Sequence, residues 1–127
     1  LEELLEKGAD PEAKNNDGYT ALIWASRNGH TATVGLLLKK GAVLEAKNDE
    51  KDPEAKAKDG DTALILASQE GHTATVGLLL KKGADPEAKT NTGKTALFWA
   101  SREGHTATVR LLLEKGADPD LGEGRRA

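Results

Sequence analysis

The sequence predicts an all-α solenoid of helix-turn-helix units joined by hairpin or loop fingers, and three observations predict it. Residues 18–42, 60–84 and 93–117 are nearly the same segment written three times. Each copy holds two short apolar patterns of helical period, and each pattern closes on a glycine. The stretches between copies contain proline and glycine and cannot continue a helix.

The first copy reads GYTALIWASRNGHTATVGLLLKKGA, the second GDTALILASQEGHTATVGLLLKKGA and the third GKTALFWASREGHTATVRLLLEKGA. The first two differ only at Tyr19/Asp61, Trp24/Leu66, Arg27/Gln69 and Asn28/Glu70. Such agreement means duplication or design. His72 and His105 stand 33 residues apart, as do Gly8 and Gly41, but His30 and His72 stand 42 apart. The nine extra residues have a readable origin, because Glu45-Ala46-Lys47 recurs as Glu54-Ala55-Lys56. A tandem copy inside a linker leaves the flanking helices in phase.

Taken along the chain, residues 1–14 form a partial N-terminal repeat, in which LEELLEKG is the end of a second helix. The sequence opens at Leu1 in mid-pattern, so the chain is expected to be a fragment or to lack its first residues. Repeat 1 covers 15–47, the finger insertion 48–56, repeat 2 57–89 and repeat 3 90–119, with a frayed tail at 120–127. In each repeat Thr20, Thr62 or Thr95 is placed to cap a first helix with its hydroxyl. Leu22, Ala25 and Ser26 then share one face, and Gly29, Gly71 or Gly104 stops the helix as a left-handed residue. A second helix begins near Thr31, Thr73 or Thr106 and carries Val34, Leu37 and Leu38, or their equivalents, on one face until Gly41, Gly83 or Gly116. Small Ala and Ser residues let the two helices lie close as antiparallel neighbours. A single such unit is too poor in apolar area to stand alone, so the units must shield one another in a row.

Charged residues make up 31% and hydrophobic residues 37% of the 127 residues, with a formal net charge of -3. No basic face is implied, so nucleic acid is not the expected partner. No apolar run approaches the ~18 residues of a membrane span, so no membrane partner is expected. There is no cysteine, which removes disulfides, thiolate metal sites and cysteine catalysis. A soluble, intracellular, cytoplasmic setting is expected.

Several features imitate chemistry. His30, His72 and His105 hold one equivalent structural position, and stacked helices ~8–10 Å apart do not bring successive positions to one ion. Gly93-Lys94-Thr95 ends like a phosphate-binding loop, but Ala88 stands where that loop needs its first glycine. Asp49, Glu50, Asp52 and Glu54 lack the central glycine of a calcium loop and are interrupted by Lys51 and Pro53. Ser26, Ser68 and Ser101 are small helix-packing positions, not nucleophiles. No cofactor, no metal and no catalytic residue is expected, and the chain does not read as an enzyme.

The period of 33, the Gly18-x-Thr20-x-Leu22-x-x-Ala25 opening, Gly29-His30 between helices and the Val34-x-x-Leu37-Leu38-x-x-Gly41-Ala42 close together resemble the ankyrin repeat family. The resemblance covers roughly residues 1–119. It departs from the family's T-P-L-H at Ala21, Ala63 and Ala96 in place of proline and at Ile23, Ile65 and Phe98 in place of histidine. After Gly-Ala-Asp the family's V-N is replaced by Pro-Glu at Pro11 and Pro86, and at Pro53 with Glu54. The resemblance implies a curved ankyrin-repeat solenoid whose fingers and first helices line a concave side that binds partner proteins or peptides.

Positions that vary between near-identical repeats are freed from building the stack. They are Tyr19, Asp61 and Lys94; Trp24, Leu66 and Trp99; Arg27, Gln69 and Arg102; and Asn28, Glu70 and Glu103. By the resemblance, the first three sets, at finger bases and on first helices, are the candidate partner-binding residues. Trp24 and Arg27 share a helix face, as do Trp99 and Arg102, and these residue types are enriched at interface hot spots. The tryptophans read equally as fillers of the groove between repeats. The insertion, within residues 48–58, reads as an added contact arm or as a tolerated duplication. Gly35 and Gly77 interrupt second helices where Arg110 stands in the last repeat. Leu111, Leu112 and Leu113 predict an apolar end and end-to-end self-association. The alternative to a protein-protein interaction module is a structural or engineered repeat scaffold without a dedicated ligand, favoured by the near identity of the units.

Overall fold

The computed structural model describes residues 18–42, 44 and 60–119. The partial repeat at 1–14, the insertion at 48–56 and the tail at 120–127 lie outside the described residues. Six helices are present there in three hairpins: α1 (Ala21–Arg27) with α2 (Thr31–Lys39), α3 (Ala63–Gln69) with α4 (Thr73–Lys81), and α5 (Ala96–Arg102) with α6 (Thr106–Glu114). No strand occurs among the described residues. None of the described helices is long and apolar enough to cross a membrane.

Local chemistry sets each boundary. The Thr20 hydroxyl accepts from the Ile23 N–H at 3.2 Å, and Thr62 and Thr95 do the same for Ile65 and Phe98. Each removes one of the orphan donors of a helix N-terminus. At the other end of α1, Gly29 N–H donates to the Ser26 carbonyl and His30 N–H to the Ala25 carbonyl. Gly29 has φ +73°. This two-bond closure around a left-handed residue is the Schellman motif. The end of α2 repeats it, with Gly41 N–H on Leu38 and Ala42 N–H on Leu37. Both later hairpins use the same bonds at both ends.

The hairpins stack in order, α1 on α3 on α5 and α2 on α4 on α6. Leu22, Leu37, Leu64, Leu79, Leu97 and Leu112 all fall in one core, and Leu37, Leu79 and Leu112 are fully buried. That is the shared interior the leucine pattern requires. The first helices bury small side chains: Ala63, Ala96, Ser26 and Ser68 are all at 0% exposure. Small side chains allow close approach, and successive first helices pack more extensively than successive second ones.

Hydroxyls and imidazoles tie one repeat to the next. Thr31 and Thr75 share a 2.7 Å hydrogen bond between their Oγ1 atoms, and Thr73 and Thr108 share one of 2.9 Å. His105 Nε2 lies 2.9 Å from the Gln69 carbonyl. A carbonyl only accepts, so Nε2 carries the hydrogen and satisfies an orphan acceptor at the end of α3. The histidines thus occupy the equivalent positions expected of them, each between its two helices.

Between repeats 2 and 3 the finger is a tight turn. Thr90 N–H donates to the Lys94 carbonyl at 2.9 Å and Gly93 N–H to the Thr90 carbonyl at 2.9 Å. The buried Thr90 hydroxyl also accepts from Lys94 N–H at 3.2 Å. Asp118 N–H donates to the Glu87 carboxylate at 2.8 Å, which pins the end of repeat 3 to this finger.

At the C-terminal repeat the apolar end is narrower than the run of leucines predicts. Leu112 is fully buried among the core residues, Leu111 is half-buried, and Leu113 is exposed at 43%. One residue of the three turns outward because consecutive helical positions point about 100° apart.

Candidate partner-binding surface

The first helices and finger bases carry the varied positions, and the structure sorts them. Trp24 is exposed at 48%, and Arg102 is also exposed. Tyr19, Arg27, Asp61, Gln69, Lys94 and Trp99 are partly exposed. Leu66 is different. At 5% exposure it is buried and offers a partner almost no surface.

In repeat 1 the varied residues meet. The Tyr19 and Trp24 ring centroids lie 5.6 Å apart at 45°. The Arg27 guanidinium carbon lies 5.6 Å from the Trp24 centroid and 5.7 Å from that of Tyr19. One cation is thus held by two ring faces, an attraction worth about 0.5–1 kcal/mol per pair at exposed sites. The pairing of Trp24 with Arg27, three residues on, is the face-sharing the spacing predicts.

Repeat 3 builds a related cluster with one more member. Arg102 lies over Trp99 at 5.1 Å, and Lys94 Nζ lies over Phe98 at 4.6 Å. Phe98 and Trp99 meet edge to face at 5.2 Å and 86°. Sequence reasoning missed Phe98. Its signal was the exchange of isoleucine for an aromatic residue at a position where Ile23 and Ile65 are fully buried, whereas Phe98 is partly exposed. Trp99 also carries a buried indole N–H with no hydrogen-bond acceptor among the described residues, a costly condition.

Repeat 2 has neither cluster. Asp61, Leu66 and Gln69 stand where the flanking repeats place Tyr19, Trp24 and Arg27 or Lys94, Trp99 and Arg102. The described surface therefore carries two aromatic and cationic posts, at α1 and α5, with an uncharged α3 between them.

Two comparisons bear on this arrangement. The sequence matches the family model described as ankyrin repeats (3 copies) over residues 1–48 and 46–122. It is similar to Ankyrin repeat domain-containing protein 39 of Homo sapiens, 45% identical over 47 residues, which is 37% of this chain and 26% of that protein. The chain thus matches about a quarter of the length of that relative.

Proposed function

This chain belongs to the ankyrin repeat family, and from that premise we propose that it is a non-catalytic protein-protein interaction module that takes a partner protein or peptide on its first-helix face and fingers. Members of the family are generally interaction modules and not enzymes. The observation that carries the proposal is the Tyr19–Trp24–Arg27 cluster, where a tryptophan stays 48% exposed beside a cation. A large indole left in water forgoes burial worth a few kcal/mol. Exposed aromatic and arginine pairs are the residue types on which interface energy concentrates.

Selection from a displayed library of random peptides and protein fragments tests the proposal. Trp24→Leu and Trp99→Leu are the matched controls, since repeat 2 already carries Leu66 at that position. Binders to the parent chain are expected to lose about tenfold or more in affinity against the double variant, in the range of a single hot spot. Enrichment indistinguishable from that on the double variant would favour the alternative, a structural or engineered repeat scaffold without a dedicated ligand. The near identity of the three units supports that alternative.

End-to-end contact between copies has one observation in its favour, the exposure of Leu113. Light scattering decides it: a mass that falls to the monomer value on dilution, and stays there in Leu113→Glu at every concentration, supports it. A monomer mass at all concentrations in the parent chain removes it.

A further inference from the structure

Resting on that reading of the first-helix face, we infer that the partner is a protein segment with carboxylates at two places about 20 Å apart, separated by a stretch without acidic residues. The spacing follows from the stack. Neighbouring helices pack at about 8–10 Å, and α3 separates α1 from α5. The two posts are therefore about two helix spacings apart, the span of about six extended residues.

The charge pattern fixes the chemistry. At the four varied positions of repeat 1 (Tyr19, Trp24, Arg27 and Asn28), the one charged group is Arg27. In repeat 3 the equivalent of Arg27 is Arg102, again held over a tryptophan. Repeat 2 carries Asp61, Gln69 and Glu70, with no cation. At the position of Arg27, Gln69 and Arg102 the described face runs cation, neutral, cation along the stack, with the exposed Glu70 beside the neutral one, although the whole chain has a formal net charge of -3. A uniformly acidic partner is repelled at the centre and a uniformly basic one at both posts. Acidic ends around a neutral or basic middle match all three repeats.

The posts also prepare their cations for carboxylates. A guanidinium held over a ring face spends its π surface there and keeps its N–H donors for a fork of hydrogen bonds. Arg27 and Arg102 are both so held. Holding the side chain in place reduces the rotamer entropy lost when a partner arrives. At the second post the indole N–H of Trp99 is buried without an acceptor among the described residues. Neither feature has a counterpart at Leu66.

The two tryptophans are the chain's full complement, so each post can be watched alone. In Trp24→Phe the emission reports the third-repeat post, and in Trp99→Phe the first. The probes are synthetic peptides of about twelve residues: one with a Glu pair near each end and an apolar middle, one with all four Glu at one end, and one with Gln for Glu. The two-ended acidic peptide is expected to bind about tenfold or more tighter than either control, to weaken as salt rises, and to perturb emission in both single-tryptophan variants. Arg27→Gln and Arg102→Gln are each expected to lower its affinity several-fold while the variants stay folded, with melting temperatures no more than a few degrees lower, because Gln69 shows that the position accepts glutamine. Peptides from the random library that bind without acidic residues and ignore both arginine variants would overturn the two-post inference and leave the interaction module standing. Failure of the acidic peptide together with an empty library would overturn both. A response of one tryptophan alone would overturn the two-place spacing.

Discussion

Thr20, Thr62 and Thr95 are each nearly or fully buried and still have their hydroxyls in use as caps. Ser26 and Ser68 show the opposite case. Both are fully buried, and neither Oγ has a hydrogen-bond partner among the described residues. A buried hydroxyl without a partner costs desolvation that its packing does not return, and alanine is the better helix former by roughly 0.5 kcal/mol. Ser68→Ala is therefore expected to raise stability by about 1 kcal/mol, read as a higher denaturant midpoint with unchanged slope. Ser101, at the same place in repeat 3, is exposed, and Ser101→Ala should gain only the propensity part. An equal gain at both sites would show that burial is not the cause. The same comparison of equivalent residues separates Trp24, Trp99 and Leu66, because chemically similar positions differ in what lies against them.

At the scale of the helices, glycine has two separate duties. Gly71 has φ +75°, and a Cβ there would come within 2.6 Å of the His105 ring. Gly104 has φ +77°, but a Cβ there meets nothing within 4 Å. Both substitutions to alanine carry the left-handed penalty of about 1–2 kcal/mol, whereas only Gly71→Ala also displaces the imidazole that bonds the Gln69 carbonyl. Gly71→Ala is expected to cost at least about 1 kcal/mol more than Gly104→Ala in urea unfolding. Gly35 and Gly77 have neither duty. They sit inside α2 and α4, and an added Cβ would make an ordinary 3.5 Å contact with Leu78 or Leu111. Gly35→Ala and Gly77→Ala should each stabilise by about 0.5–1 kcal/mol, a rise of a few degrees in melting temperature. Their larger relative Arg110 is exposed, where no leucine of a following described helix limits its length.

The described hairpins form a row whose main contacts join each to its neighbour. Stability in such a row is the sum of what each unit has alone and what each junction adds. Leu79 of the middle repeat is fully buried and feeds both junctions through the common core. Leu79→Ala should cost about 2–5 kcal/mol and also broaden the transition, because the outer repeats then melt less in step. Leu113→Ala, at 43% exposure, should change stability by less than about 0.5 kcal/mol. Denaturant curves followed by circular dichroism and by tryptophan emission would part for Leu79→Ala and coincide for the parent chain. Coincident curves in the variant would mean that cooperativity does not pass through the middle repeat.

The recurrence of threonine, glycine, histidine and leucine at fixed intervals was enough to determine six helices, their ends and the faces they bury. Those outcomes depend on local backbone chemistry and on a periodicity that any one repeat displays. The varied positions were legible as candidates for the same reason, being the ones that stack-building does not constrain. Which of them are open to solvent was settled only by packing: Trp24 stands out, Leu66 lies within the wall, Trp99 hides its N–H, and Phe98 joins a post that spacing alone had not included. Leu112 likewise turned inward while its neighbour Leu113 did not. A linear sequence gives the direction of each side chain from its own helix axis, but exposure depends on what the adjoining repeat places against it. That is a property of two units in contact and is absent from either one.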